Sequence, residues 1–107
     1  MVGYIYLIEC VTDYEQTYKI GFSKNKNIEK RLINLRTGNP GTLKIIDVFE
    51  TKHNRRVETA LHSKFNSKRK KGEWFEMDID DVANFQKICE NIEEGFDILK
   101  QHNNPFY

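Results

Sequence analysis

Gly3-Tyr4-Ile5-Tyr6-Leu7-Ile8-Glu9 and Thr17-Tyr18-Lys19-Ile20-Gly21-Phe22 are the two stretches whose reading decides the fold. Both are aromatic and β-branched, which suits strands. A period of two sets Ile5 and Leu7 on one face of the first strand, and Tyr4, Tyr6 and Ile8 on the other. In the second, Tyr18, Ile20 and Phe22 share a face while Lys19 and Gly21 take the opposite one. Residues 10–16 between them are polar and acidic and read as a hairpin loop.

Beyond this hairpin, Ile28, Leu32 and Leu35 fall at i, i+4, i+7 and predict a helix over 27–36, with Asn27 as its N-cap. Residues 37–41, Thr-Gly-Asn-Pro-Gly, end that helix and turn the chain. A third strand is expected over 43–50 and a second helix over 54–66, striped by Val57, Leu61 and Phe65. Glu58 and His62 lie four apart on one edge of that helix. Glu73-Trp74-Phe75-Glu76 reads as a short extended segment. Asp78 or Asp80 caps a third, acidic helix over about 80–100, striped by Val82, Phe85, Ile88, Ile92 and Phe96. Residues 103–107 are expected to fray. The order β-β-α-β-α-(β)-α predicts a single α+β domain over 1–107, with a three-stranded antiparallel sheet flanked by helices.

The chain has 107 residues, 38% hydrophobic and 31% charged, which allows one small core. No apolar run approaches a membrane span, and the start of the sequence has no signal-peptide pattern. The expected location is therefore cytoplasmic, or nuclear in a eukaryotic host, and not secreted. Cys10 and Cys89 are too few and too far apart for a disulfide framework or a zinc finger. The net charge of +1 conceals a division. Residues 1–72 carry 15 Lys and Arg against 7 Asp and Glu, a balance of +8; residues 73–107 carry 2 against 9, a balance of −7. A polyanionic partner for the basic part is one reading, and two mutually neutralising faces the other.

Taken singly, Tyr4 and Tyr6 read as a strand face, Glu58 as a solvated carboxylate and His62 as a surface histidine. Their order reads differently. Tyr4-Ile5-Tyr6 followed by Lys19-Ile20-Gly21 resembles the paired motif of the GIY-YIG nuclease superfamily. Ser23, Arg31 and Glu58 follow at matching places. Glu58-x-x-Leu61-His62-x-x-Phe65 and Gly72-Glu73-Trp74-Phe75 resemble its short phage- and virus-associated branch. The resemblance spans about residues 3–76. The chain departs from the superfamily pattern at Tyr4, which replaces a glycine, at Lys19, which replaces a tyrosine, and at Leu35, where many members carry a histidine. The usual late asparagine has no match.

The resemblance implies a DNA endonuclease or nickase dependent on Mg²⁺ or Mn²⁺. Glu58 would hold one divalent cation, since no second carboxylate stands in a matching place, and hard cations accept a site completed by water and phosphate. Tyr6 would be the general base. Its phenol titrates near pH ~10 when free, so a cation must stabilise the phenolate, and Lys19 is the expected one unless it binds phosphate itself. Arg31 offers a planar fork to phosphate oxygens. His62 would hold a water or act as an acid. Ser23 would cap a turn or meet phosphate. Lys24, Lys26, Arg36, Arg55, Arg56, Lys68, Arg69, Lys70 and Lys71 would contact the DNA backbone. No recognition module is visible, so sequence selectivity would come from a homodimer or a separate targeting subunit. The alternatives are a catalytically degenerate nucleic-acid-binding module of the same fold, and a protein-interaction domain built on the acidic helix.

Overall fold

The computed structural model describes residues 2–39, 41–53 and 55–107. Pro40, expected in the turn over 37–41, and Asn54, the expected start of the second helix, lie outside the described residues. Strand β1 spans Gly3–Val11, β2 Gln16–Ser23 and β3 Thr42–Thr51. Helix α1 spans Glu29–Arg36 and α2 Arg56–Lys64. A single 3₁₀ turn at Asn66–Lys68 leads into β4 (Arg69–Lys71) and β5 (Trp74–Phe75), then α3 (Ile79–Ala83) and α4 (Phe85–Gln101).

The expected three-stranded sheet is overturned. The sheet has five antiparallel strands in the order β3-β1-β2-β5-β4. The two added strands are a short hairpin on the edge of β2, with Tyr18 opposite Phe75 and Lys19 opposite Trp74. Gly72, at φ +56°, makes the turn between β4 and β5, a backbone region that costs glycine little. Such short strands carry no periodicity of their own; they exist because β2 presents an unpaired edge.

β1 lies between β3 and β2, the other two long strands, and is covered on both faces. Ile5 and Leu7 join Ile20, Phe22, Val57, Leu61 and Phe85 in one apolar layer under α2 and α4. Tyr6, Ile8 and Cys10 join Ile28, Leu32 and Leu43 in the other, under α1. Tyr6 is therefore a core residue and not a half-exposed one. It sits opposite Gly21, where an added Cβ would fall well inside contact distance of the Tyr6 ring. Gly21 is thus required by the close approach of that ring.

Asn27 acts as expected but one position early: its Oδ1 accepts the Glu29 N–H at 3.0 Å, while Ile28 is the boundary residue. The third helix is two helices, broken at Asn84. Asp78 caps α3 in a capping box with Asp81. Cys10 and Cys89 are buried free thiols, and burial pushes Cys89 up to about 12. Among the described residues no helix is long and apolar enough to cross a membrane.

The tail does not fray. Asn103 takes a left-handed backbone (φ 51°) just past α4. The N–H of Asn104 donates to Leu99 O at 2.9 Å and that of Asn103 to Lys100 O at 3.2 Å, a Schellman cap that reverses the chain. Tyr107 then returns to the body: its hydroxyl lies 2.7 Å from Nδ1 of His53. Arg56 stacks 4.3 Å from its ring centre. His53 is buried just after β3, and its Nε2 meets Asp97 at 2.7 Å.

Candidate active site

The order of the elements brings five distant segments to one cavity of about 290 Å³. Tyr6 comes from β1, Lys19 from β2, Arg31 from α1, Arg55 and Glu58 from the start of α2, and Glu73 from the β4–β5 turn. Tyr6 reaches it because alternation along β1 turns its ring away from Ile5 and Leu7. Glu58 reaches it because Val57 and Leu61, both fully buried, anchor the neighbouring stripe of α2.

Glu58 is 94% buried, its relative exposure being 6%. Burial raises its carboxyl above the ordinary range, and the Glu73 charge raises it further, against the opposing pull of His62, Arg55 and Lys19. Its nearest cation, Arg55 Nη1, stands 3.5 Å away and is itself largely exposed. Glu58 is thus an under-neutralised buried carboxylate, a costly arrangement without a compensating charge.

Lys19 donates from Nζ to Glu73 Oε2 at 2.8 Å and lies 5.8 Å from the centre of the Trp74 ring. It shares the cavity with Tyr6. Burial raises the Tyr6 phenol above its usual value, and Arg31 is the leading group pulling it down. The β4–β5 turn brings Glu73 to Lys19, so the ion pair that Lys19 makes is with Glu73.

His62 sits one turn beyond Glu58 and packs against Phe75 with ring centres 5.3 Å apart. Its Nε2 lies 2.8 Å from the carbonyl oxygen of Ile20. A carbonyl only accepts, so Nε2 is the donor of this bond. A histidine held in this way by a backbone carbonyl is oriented as metal-ligating histidines are. Glu58, His62 and Glu73 each offer one ligand atom, and these atoms all lie within 4.8 Å of one another. Two carboxylates and an imidazole are a donor set that can hold a divalent cation.

Glu73 is the residue that the sequence reading missed. Its only signal was its place beside Gly72 in the Gly-Glu-Trp-Phe segment; its partner Lys19 stands 54 residues away. The backbone carbonyl of Glu73 also accepts the Ile20 N–H at 3.2 Å, which pins the turn to β2.

The remaining cations divide. Lys24, Lys30, Arg31 and Arg55 line a second cavity of about 420 Å³ beside the first. Lys26, before α1, and Arg36, its last residue, are exposed and line neither cavity. Lys68 is held by Asp78 at 3.2 Å and Asp81 at 2.5 Å, and Lys70 by Glu76 at 3.1 Å. Arg69 covers the Phe75 ring at 4.8 Å and donates to the Gly72 carbonyl. Lys71 lines a separate cavity with Cys10 and Trp74. None of these four lines the Tyr6–Glu58 cavity. Ser23 caps a turn, its Oγ accepting the Asn25 N–H at 3.1 Å.

A small α+β domain with a basic, carboxylate-bearing cavity between a central β-hairpin and a helix is the class that this arrangement defines. A family model matches residues 3–93, and the chain belongs to the T5orf172 domain family. The match runs from the first residue of β1 into α4, so it includes every residue of the cavity. The family is related to a nuclease-like fold. No curated protein and no solved structure matches the chain.

Proposed function

We propose that this protein is a divalent-metal-dependent DNA endonuclease or nickase of GIY-YIG type. The observation that carries the reading is the convergence of Tyr6, Lys19, Arg31, Arg55, Glu58 and Glu73 on one cavity. Three cations against two carboxylates leave the cavity positive, which suits an incoming phosphodiester. A module that only bound nucleic acid would gain nothing from burying Glu58 there, because a lone carboxylate repels phosphate.

Glu58, Glu73 and His62 are the residues to hold the cation. When bound, a divalent cation polarises the phosphoryl oxygens and stabilises the leaving alkoxide. Arg31 supplies paired donors to the non-bridging oxygens and fixes the phosphate against Tyr6. The Tyr6 oxygen takes the proton of the attacking water; burial raises that phenol, and the Arg31 charge is the leading group that opposes the rise and favours the phenolate. Arg55 adds charge at the rim. Lys19 holds the Glu73 carboxylate in place. The acidic helix has an internal task, because Asp97 and Glu93 are committed to His53 and Thr51. DNA is the proposed partner, with selectivity supplied by a homodimer or by a second subunit.

The test is a supercoiled-plasmid assay with Mg²⁺, Mn²⁺ or EDTA, on the wild type beside Tyr6→Phe and Glu58→Ala. The expected result is nicked or linear product with metal alone, absent from both variants while their folds persist. A wild type that shifts DNA on a gel but never cuts it, with either metal, gives the lead to the binding module.

A further inference from the structure

Phe22 and Arg55 border three cavities at once: the reacting cavity, the polar one beside it, and a larger groove of about 710 Å³. Lys24, Arg55 and Arg56 supply positive charge to the groove, and Phe22, Phe106 and Tyr107 supply rings. No Asp or Glu side chain lines it among the described residues, nor the polar cavity that adjoins it. In a chain with 16 acidic residues and a net charge of +1, that absence leaves cations as the charged side chains of the groove, which suits a polyanion. The groove also lies within the volume range of small-molecule sites.

The rings decide which polyanion. A paired duplex keeps its base faces stacked inside the helix and offers only phosphates, for which exposed rings are useless. Unpaired bases offer faces that stack on aromatic side chains irrespective of sequence, with cations tracking the backbone. Phe106 is 86% exposed, held out by the Schellman turn that carries the tail back over α2. Tyr107 is fixed from behind by His53 and braced by Arg56.

We infer that this aromatic and cationic groove binds unpaired nucleotides of a nucleic-acid strand, and that the strand runs from there past Arg55 into the reacting cavity. The inference deepens the nuclease reading and rests on it for the second half alone. On this account the preferred substrate carries single-stranded nucleotides beside the scissile phosphate. Phe106 supplies a stacking face, and Lys24 and Arg55 meet the phosphates.

The test is fluorescence anisotropy in EDTA, with labelled oligothymidylate and a blunt duplex of equal length, on the full chain and its Phe106→Ala and Phe106→Trp variants. The wild type is expected to bind the single strand about 10-fold more tightly than the duplex. Phe106→Ala should weaken single-strand binding about 5- to 10-fold, leave duplex binding unchanged, and be rescued by Phe106→Trp. Equal affinity for both probes, binding to neither, or indifference to Phe106→Ala would overturn the inference. Indifference together with capture of an apolar peptide by the groove would assign it to a protein partner. The two readings fail separately. A protein that grips the single strand through Phe106 yet never cuts a plasmid retains the groove and loses the nuclease. One that cuts with no Phe106-dependent preference does the reverse.

Discussion

Tyr6 and Glu58 stand on elements whose flanking side chains, Ile5, Leu7, Val57 and Leu61, are completely buried. Glu73 stands on a hairpin of three- and two-residue strands, with β4 exposed along its length. Both regions face the same cavity, and they differ in what fixes them. The first is set by packing on both faces of β1. The second is set by a few cross-strand bonds and one ion pair, Lys19 to Glu73, whose acidic partner is half exposed. The frame that orients the proposed chemistry is therefore rigid, while the carboxylate that completes the proposed metal set is on the weaker support.

Activity should separate the two regions most widely. Tyr6→Phe is expected to cost about 10²- to 10⁴-fold in cleavage rate, the usual range for loss of a general base. Glu73→Gln should cost about 10-fold and be offset by raising the metal concentration, because it weakens one ligand and spares the base. Initial rates against Mg²⁺ concentration check both. If Glu73→Gln were as damaging as Tyr6→Phe and indifferent to metal, the hairpin would belong to the rigid part of the site.

The same division explains what could be read from the sequence. Alternation in 3–9 and 17–22 located Tyr6 and Lys19 on their strands, because β1 and β2 are long and buried along most of their length. The stripe of Val57, Leu61 and Phe65 located Glu58 and His62 on a helix edge. The extended segment over 73–76 was legible and is β5, but β4 and the pairing of both strands onto the sheet were not: Arg69-Lys70-Lys71 reads as a solvated basic run, and the hairpin is anchored by β2. The place of Glu73 in the site was lost with that pairing, and so was the ion-pair partner of Lys19. The direction of the Tyr6 shift was also out of reach, since it follows from burial under α1 and not from neighbours in sequence. The tail was misread because Asn103 ends α4 in a left-handed cap, whose purpose appears only with His53 waiting for Tyr107.

Stability should separate the regions next. Gly21→Ala places a methyl into the Tyr6 ring and is expected to destabilise the fold by about 1–3 kcal/mol, as overpacking of a core does. Gly72→Ala, at a positive φ with open space around it, should cost about 1 kcal/mol. Urea unfolding of both variants gives the comparison, and a larger loss at Gly72 would reverse the assignment of rigid and weak supports.

The smallest effect concerns pH. The folded-state pKa of Glu58 is raised, so the folded protein holds that proton above pH 4.5, where the unfolded chain has begun to release it. Stability contributed by Glu58 is therefore full at lower pH and is lost as pH rises through the raised value. Glu58→Gln removes the charge, and should raise the melting temperature of the metal-free protein at pH 7 while leaving it little changed at pH 4. Melting curves of the two proteins across that range give the difference directly.

The central claim is that Glu58, His62 and Glu73 form a site for one divalent cation. Titration of Mn²⁺ into the metal-free protein, followed by loss of the free-ion electron paramagnetic resonance signal, tests it most directly. One bound ion per chain, lost in Glu58→Gln and weakened in Glu73→Gln, is the predicted result. A protein that leaves the free-ion signal intact, or a Glu58→Gln variant that binds as the wild type does, would contradict the account.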